Sequence, residues 1–385
     1  MKHLPTGLNR RQGLAGLLGL AATRAFASVP DAAAAAEPVQ RIATCWRLPG
    51  AAEGNSPQGD HVGIVEVDWA AGSLRLFEPL PLPSRGHGLL ALADGGFLAV
   101  AARPGRWLLR CDAGGQVVVR HGIDSDTPRR SLDGHATASA DGRWIYTVET
   151  DPASGQGWVS VRDPLTLRRV AQFASGGIDP HQLLPAPDGK LMVANGGIPR
   201  EAGGRKVRLE DMAPCLTCTD PASGRIEGRW TLADPRLSLR HMAWSIDDRP
   251  LLGIALQAEH DDPGRRAEAP TLAVWDGRSL DLPCADPQGG GYAGDIAAGP
   301  AGGFIISAQK QRRGLWWHPG SPRGYTRVAE LTEPCALVPA ADGDGVTLHA
   351  ARGAARWHLR AAARMLAWPV AMAPDNHAVA LHAPA

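Results

Sequence analysis

Four histidines of this chain stand in nearly the same local phrase, and their shared position suggests metal chemistry. Each one is followed by a short apolar run, a turn and a second apolar run; they are His87, His135, His181 and His241. Neutral imidazole is a good ligand for copper, iron, zinc and nickel. Several imidazoles at equivalent positions of a repeat would form a preorganised site. The alternative is that each histidine bonds to a nearby turn and only stabilises its own repeat.

The same phrase continues without histidine in two later copies. Asp295 and Cys335 take the histidine position there, and we expect them to complete the ring of metal ligands. Polar side chains also end the second apolar runs, and with Arg240 they form a predicted ligand-binding ring of Glu149, Asn195, Gln257 and Gln309. The alternative for this second ring is that its members satisfy backbone groups in the loops.

The repeat itself predicts the fold. Two short strands joined by a turn, recurring at a spacing of roughly 40 to 60 residues, are typical of a β-propeller. We predict an all-β chain with a single propeller of seven blades, each of four antiparallel strands; six or eight blades are the alternatives, because the first repeat is degenerate. The blades begin near residues 40, 85, 133, 178, 238, 291 and 334, and residues 376–381 form a last strand that closes the ring beside the first blade. Equivalent positions of successive blades then face one central axis.

The N-terminus has the pattern of an export signal. Arg10 and Arg11 precede a short, weakly apolar run, and Ala25-Phe26-Ala27 offers a small-x-small cleavage site. Paired arginines favour the twin-arginine route over an ordinary secretory signal. We predict a signal peptide at 1–27, a flexible linker at 28–39, a propeller domain at 40–385 and a periplasmic location. No later stretch is long and apolar enough to span a membrane, and a monomer is expected.

Charge and cysteine content exclude some classes. The formal charge of +1 argues against a general nucleic-acid binder. The six cysteines permit 15 disulfide pairings, among which the sequence does not choose. Cys215 and Cys218 form a C-x-x-C pair in a strand-like context, where residues three apart point to opposite faces. That context disfavours a thioredoxin-like role, which requires a helix N-terminus.

Several segments together resemble the DUF1513 family of exported bacterial proteins of unknown function; they are 84–88, 147–151, 176–181, 194–198 and 237–241. The resemblance covers nearly the whole mature chain, although Cys215 and Cys218 depart from the family pattern. It implies a propeller-like fold and a periplasmic location. Genes of the family often lie beside imelysin-like and dihaem peroxidase-like genes. The resemblance therefore implies a link to iron or other metal uptake, with other periplasmic metal-uptake proteins as partners.

Three classes of function stay open. The first is a periplasmic protein that binds a transition metal, iron or copper, or a small ligand in a histidine-lined channel. The second is an axial-site enzyme, either an oxidoreductase or a lactonase-like hydrolase, although no G-x-S-x-G, H-E-x-x-H or phosphate-loop motif is present. The third is a cofactor-free platform for protein interactions, for which the charged loops at 201–211 and 259–268 would be suitable.

Overall fold

Seven antiparallel blades form the structure, a computed structural model that describes residues 39–50, 59–77, 79–126, 129–285 and 287–382. Six blades have four strands, and the first has four strands with a short fifth one beside them. The predicted all-β propeller and its blade number are therefore confirmed. The predicted signal peptide at 1–27 lies outside the described residues, as does the linker at 28–39 except for its last residue.

The strands follow the predicted repeats in chain order. Blade 1 contains β1 (Gln40–Arg47), β2 (Asp60–Asp68), β3 (Ser73–Leu76) and the short β4 (Leu80–Pro81), which pairs with β2. Blade 2 contains β5 (Gly86–Ala91), β6 (Phe97–Ala101), β7 (Trp107–Cys111) and β8 (Val117–Gly122). Blade 3 contains β9 (Ser131–Ala138), β10 (Ile145–Thr150), β11 (Gln156–Arg162) and β12 (Arg169–Ile178). Blade 4 contains β13 (Pro180–Pro185), β14 (Leu191–Asn195), β15 (Cys215–Thr219) and β16 (Ile226–Trp230).

The remaining blades have the same order. Blade 5 contains β17 (Leu237–Trp244), β18 (Leu252–Ala258), β19 (Leu272–Trp275) and β20 (Leu280–Asp281). Blade 6 contains β21 (Ile296–Gly299), β22 (Gly303–Ala308), β23 (Arg313–Trp317) and β24 (Thr326–Glu330). Blade 7 contains β25 (Leu337–Pro339), β26 (Gly345–Ala350), β27 (Gly353–His358) and β28 (Arg364–Ala367), and the chain ends with β29 (Ala373–Leu381).

The last strand closes the ring. β29 pairs with β1 and becomes the innermost strand of blade 1, so this blade combines both ends of the described chain. Without β29, the inner edge of β1 in the first blade would have no pairing strand. The innermost strands of the seven blades contact their neighbours in the order β29, β5, β9, β13, β17, β21 and β25. Residues at equivalent positions on these strands therefore surround one axis.

The hydrophobic core lies between adjacent blades. Strands in the middle of the blades, such as β6, β14 and β22, are buried at every position, because each blade packs against a neighbour on both of its faces. Cys45 and Ile64 of blade 1, for example, share one cluster with Phe97 and Leu109 of blade 2. Leu89 of the innermost strand β5 also packs against this cluster, which ties the strand that carries His87 to the core.

Helix is scarce in the described residues. The one α-helix is α1 (Pro263–Glu268), and single 3-10 turns cover Ile123–Ser125, Leu209–Asp211, Pro287–Gly289 and Gln309–Gln311. Within the described part of the chain, none of the helices is long and apolar enough to cross a membrane. All six cysteines are buried, and Cys215 and Cys218 lie on β15.

Candidate metal centre at the propeller axis

A β-bulge interrupts the pairing of an innermost strand at each of five histidines. The pairing register shifts at or beside His87 on β5, His135 on β9, His181 on β13, His241 on β17 and His377 on β29. A bulge adds an unpaired residue and re-aims its side chain. The bulges therefore explain how these strands direct the imidazoles towards the axis.

Two glycines allow the inner strands to approach closely at this level. A Cβ on Gly134 would lie 2.7 Å from Cδ2 of His87, and the φ of Gly134 is +103°. A Cβ on Gly88 would lie 2.2 Å from the carbonyl oxygen of Gly134. The glycine that precedes His135 and the one that follows His87 thus leave the room that the two rings occupy.

The five imidazoles converge. Nine of their ten ring pairs have centroids between 4.2 and 6.0 Å apart. One set of possible ligand atoms, all within 4.8 Å of one another, comes from His87, His135, His181 and His241. A second such set joins His241 to His377 and Asp295. The four sequence-predicted histidines therefore meet in one place, and His241 links them to a fifth.

The shortest contacts of the cluster are between Nε2 atoms. The Nε2 atom of His241 lies 2.6 Å from Nε2 of His181 and 2.9 Å from Nε2 of His377. Nitrogens that share one first-row metal at bond lengths of about 2 Å are separated by about 3 Å, so the spacing resembles that of co-ligands. The Nε2 atom of His135 is buried and has no hydrogen-bond partner among the described residues.

Carboxylates orient two of the rings. Nδ1 of His87 lies 2.7 Å from Oδ1 of Asp375, whose Oδ2 accepts from Nε of Arg85 at 2.5 Å. Although burial alone would raise it, the Arg85 and His87 contacts hold the pKa of Asp375 well below its ordinary value. Asp375 is therefore an ionised acceptor, so Nδ1 of His87 carries the proton and Nε2 has a free lone pair. This is the arrangement of a carboxylate–histidine–metal unit.

His377 has a weaker version of the same arrangement. Its Nδ1 atom lies 3.5 Å from Oδ1 of Asp295. The Asp295 carboxylate also accepts from the backbone N–H groups of Ile296 and Leu337, both at 2.9 Å. These bonds fix the carboxylate between blades 6 and 7, where it faces the ring of His377.

Burial keeps the predicted histidines neutral. It lowers the pKa of His87 to about 3, and it lowers the pKa values of His135, His181 and His241 well below the ordinary value. Neighbouring imidazoles and arginines add to the effect at the last three. Neutral imidazole is the form that binds a metal, so the rings are in the ligating state near pH 7.

Cys335 does not belong to either group of possible metal ligands. Its Sγ atom is buried and donates to the carbonyl oxygen of His349 at 3.2 Å. Burial raises the pKa of this thiol far above its ordinary value, which disfavours the thiolate that binds metals. Of the two residues expected to complete the ring, Asp295 thus reaches the histidines and Cys335 does not.

The predicted polar ring divides into two pairs. Glu149 is fully buried and accepts from Arg162 at 2.6 Å, and Asn195 bonds to Ser175 at 2.7 Å inside blade 4. Gln257 instead lines a cavity shared with His87, His181 and Arg240, and Gln309 lines the neighbouring cavity. The structure therefore brings Gln257, Gln309 and Arg240 to the mouth of the channel, whereas Glu149 and Asn195 satisfy polar groups within the blades.

These features define the class of protein: a seven-bladed β-propeller with a buried histidine cluster on its axis. The chain belongs to the family described as protein of unknown function (DUF1513), whose model matches residues 80–381. No curated protein is significantly similar to the chain in sequence.

Solved structures share the fold at low sequence identity. Hydrazine synthase of Kuenenia stuttgartiensis is similar at 15% identity and a TM-score of 0.56, over 84% of this chain and 97% of that one. A 6-phosphogluconolactonase-like protein of Bacteroides uniformis has 11% identity and a TM-score of 0.55, over 87% and 99% of the two chains. Virginiamycin B lyase of Staphylococcus aureus has 11% identity and a TM-score of 0.51, over 73% and 84%.

Proposed function

We propose that this protein is a periplasmic metal-binding propeller that holds one first-row transition metal, iron or copper, in the axial histidine cluster. The observation that supports it best is that the neutral imidazoles cannot place their N–H hydrogens so that every close contact becomes a hydrogen bond. Arg103, which can only donate, contacts Nδ1 of His181. The proton of neutral His181 therefore lies on Nε2, which faces Nε2 of His241.

This assignment leaves the neighbouring nitrogens unsatisfied. If Nε2 of His241 accepts from His181, its own proton lies on Nδ1, which is buried and without a partner in the described part of the chain. Nε2 of His377 lies 2.9 Å from the same His241 nitrogen. If Nε2 of His377 carries no proton, two lone pairs face each other; if it carries one, it competes with His181 for an acceptor that is already used. No distribution of one proton per ring satisfies all these contacts, and each buried unsatisfied polar group costs about 1–3 kcal/mol. A cation bound among the rings removes the conflict.

The residues present fit such an ion. His87, His135 and His241 offer neutral nitrogens, and His377 with Asp295 flanks His241. His181 can join them only if Arg103 gives up its contact with the ring and keeps its bonds to Asp179 and to the Asp133 carbonyl oxygen. Imidazole nitrogen suits iron and copper among the first-row ions. The metal would supply redox or Lewis-acid chemistry, while the chain fixes the ligands and excludes water from all but the open mouth.

The test is the metal content of untagged protein purified from the periplasm without chelators. We expect about one equivalent in the wild type and a loss of most of it in the His135→Gln, His241→Gln double variant. The matched control is His318→Gln with His382→Gln, which also removes two imidazoles but none from the cluster. Equal metal in both double variants, or none in the wild type, would show that the histidines serve packing alone.

Export to the periplasm by the twin-arginine route belongs to the same proposal. It is supported by Arg10 and Arg11 ahead of a short apolar run. A link to metal uptake, with other periplasmic uptake proteins as partners, is supported by the family resemblance. Copurification of the chain with such a protein, dependent on His135 and His241, would test that link.

A second candidate is an enzyme of the axial-site type. Burial raises the pKa of Asp133 to about 7, and this carboxyl lines a cavity of about 290 Å³ beside Arg103 and Arg200. A carboxyl with a pKa near the working pH is suited to general acid–base catalysis. A lactone-hydrolysis or oxidoreductase assay of wild type against Asp133→Asn tests it: turnover that falls by about 100-fold or more supports catalysis, and absence of turnover in both removes it.

A further inference from the structure

A cavity of about 240 Å³ opens directly above the histidine cluster. His87, His181 and His241 form part of its lining. Five basic side chains also line this cavity, which we call the arginine chamber; they are Arg85, Arg103, Arg200, Lys206 and Arg240. The chamber is thus a positively charged entrance to the candidate metal centre.

The carboxylates paired with these side chains do not balance them. Asp179 alone serves three guanidinium groups, those of Arg103, Arg200 and Arg240. Asp375 pairs with Arg85 and Glu259 with Lys206. Five cations therefore face three carboxylates, and two positive charges remain in excess.

The nearby carboxyl of Asp133 does not cancel the excess. Asp133 lies beyond Arg103, which contacts its backbone carbonyl, and its carboxyl lines the adjacent cavity. That carboxyl is partly protonated near neutral pH, since burial raises its pKa to about 7. Its hydroxyl partner is Thr150, at 2.6 Å, and no guanidinium bonds to it among the described residues.

Arg240 is the least satisfied of the five cations. Its side chain is only 12% exposed, and in the described chain it makes a single long hydrogen bond, 3.4 Å to Oδ2 of Asp179. Arg240 carries five N–H donors, so most of them are without a protein acceptor among the described residues. A buried cation in this state costs desolvation energy that a bound anion would offset.

We infer that the arginine chamber binds a small oxyanion carrying two negative charges, a dicarboxylate or a phosphate, directly above the histidine cluster. Guanidinium groups bind both by paired charge-assisted hydrogen bonds. The volume corresponds to about eight water molecules, which suits an anion of a few carbon atoms. The idea that the bound anion presents a chelated metal to the histidines rests on the proposed function. The anion site itself rests only on the charges of the chamber.

The experiment is calorimetric titration of protein stripped of metal, after the chelator has been removed, with succinate, inorganic phosphate and acetate in turn. We expect a dianion to bind with a Kd of about 1 mM or tighter and acetate at least about tenfold more weakly. Arg240→Gln should weaken dianion binding by about tenfold or more, the effect of losing a charge-assisted pair. Arg323→Gln, at an exposed arginine outside the chamber, is the matched control and should bind as the wild type does.

The relative affinities distinguish the two kinds of anion. Tighter binding of succinate indicates a dicarboxylate site, and tighter binding of phosphate indicates a phosphate site. If Arg240→Gln does not fold, Arg85→Gln replaces it, because this side chain is 47% exposed at the rim. Binding of neither dianion below about 10 mM, or equal affinity in the Arg240→Gln and Arg323→Gln proteins, overturns the inference. The titrated protein holds no metal, so anion binding can be established even if the metal analysis is negative. In the same way, absence of anion binding does not contradict a positive metal analysis.

Discussion

His87 and Asp375 are joined by a 2.7 Å hydrogen bond although 288 residues separate them in the sequence. The bond connects β5 of blade 2 to β29, the C-terminal strand that completes blade 1. The element that closes the ring therefore also positions a histidine of the candidate metal centre. The complete site therefore requires that β29 is paired with β1.

Replacing Asp375 by asparagine should weaken metal binding. The amide no longer provides the negative charge that fixes the proton of His87 on Nδ1, and loss of such a carboxylate typically costs about 10- to 100-fold in metal affinity. Competition with a chromophoric chelator measures it. Asp342→Asn is the matched control, because Asp342 also contacts a histidine and an arginine, His358 and Arg360, away from the axis. Equal affinities of the two variants would contradict the role given to Asp375.

Gly134→Ala should damage the centre more than its backbone conformation alone explains. A left-handed φ costs a non-glycine residue about 1–2 kcal/mol, and here the new Cβ would also lie 2.7 Å from His87. Gly277→Ala carries the same kind of backbone cost, with φ +95° and nothing within 4 Å of the new Cβ. Denaturant unfolding and metal titration of both variants separate the two effects. We expect similar backbone penalties, additional destabilisation at Gly134, and weaker metal binding only there.

Four of the five clustered histidines could be predicted from the sequence, because each begins a blade and repeats one phrase. His377 was missed since β29 has no second strand after it; its partner, β1, lies at the other end of the domain. A signal was present: Asp375-Asn376-His377 repeats the Asp-x-His spacing that precedes the first apolar runs at Asp133 and Asp179. A repeat that is split between the chain ends hides its last copy from a search for consecutive strands.

The direction of the polar side chains was beyond the sequence pattern. Glu149 and Gln257 both stand near the ends of second strands, yet Glu149 turns inward to Arg162, and Gln257 bonds to Glu259 at the chamber. The difference comes from the partner that each blade supplies, a buried arginine on β11 in the first case. Such partners depend on tertiary packing, which strand periodicity does not encode.

Replacing Arg10 and Arg11 together by lysine should block export. The twin-arginine route depends on the arginine pair, whereas lysines retain the charge. Fractionation of cells followed by detection of the mature chain measures the result. Lys2→Arg with Arg24→Lys changes two basic residues outside the pair and should be exported normally. Periplasmic, processed protein from the double-lysine variant would show that a general secretory signal is sufficient.

His349 should make folding stability depend on pH in the acid range. This ring is fully buried beside Trp368, and burial lowers its pKa to about 4. In the unfolded chain a histidine takes up its proton near pH 6.5. Between these values only the unfolded state binds the proton, so the contribution is fully present above about pH 6.5 and is lost as the pH falls towards 4. The loss approaches about 1.4 kcal/mol per pH unit for one proton.

His349→Leu should reduce the slope of unfolding free energy against pH by up to about 1.4 kcal/mol per pH unit, the contribution of one proton. Urea unfolding of the metal-free protein from pH 7 to 4.5 measures this slope. The axial histidines contribute to the slope of both proteins and cancel in the comparison. His382→Leu replaces an exposed histidine and should retain the wild-type slope. The same slope in the His349→Leu and His382→Leu proteins would mean that His349 is already protonated in the folded state, with a carboxylate or water reaching Nε2, the ring atom that has no partner among the described residues.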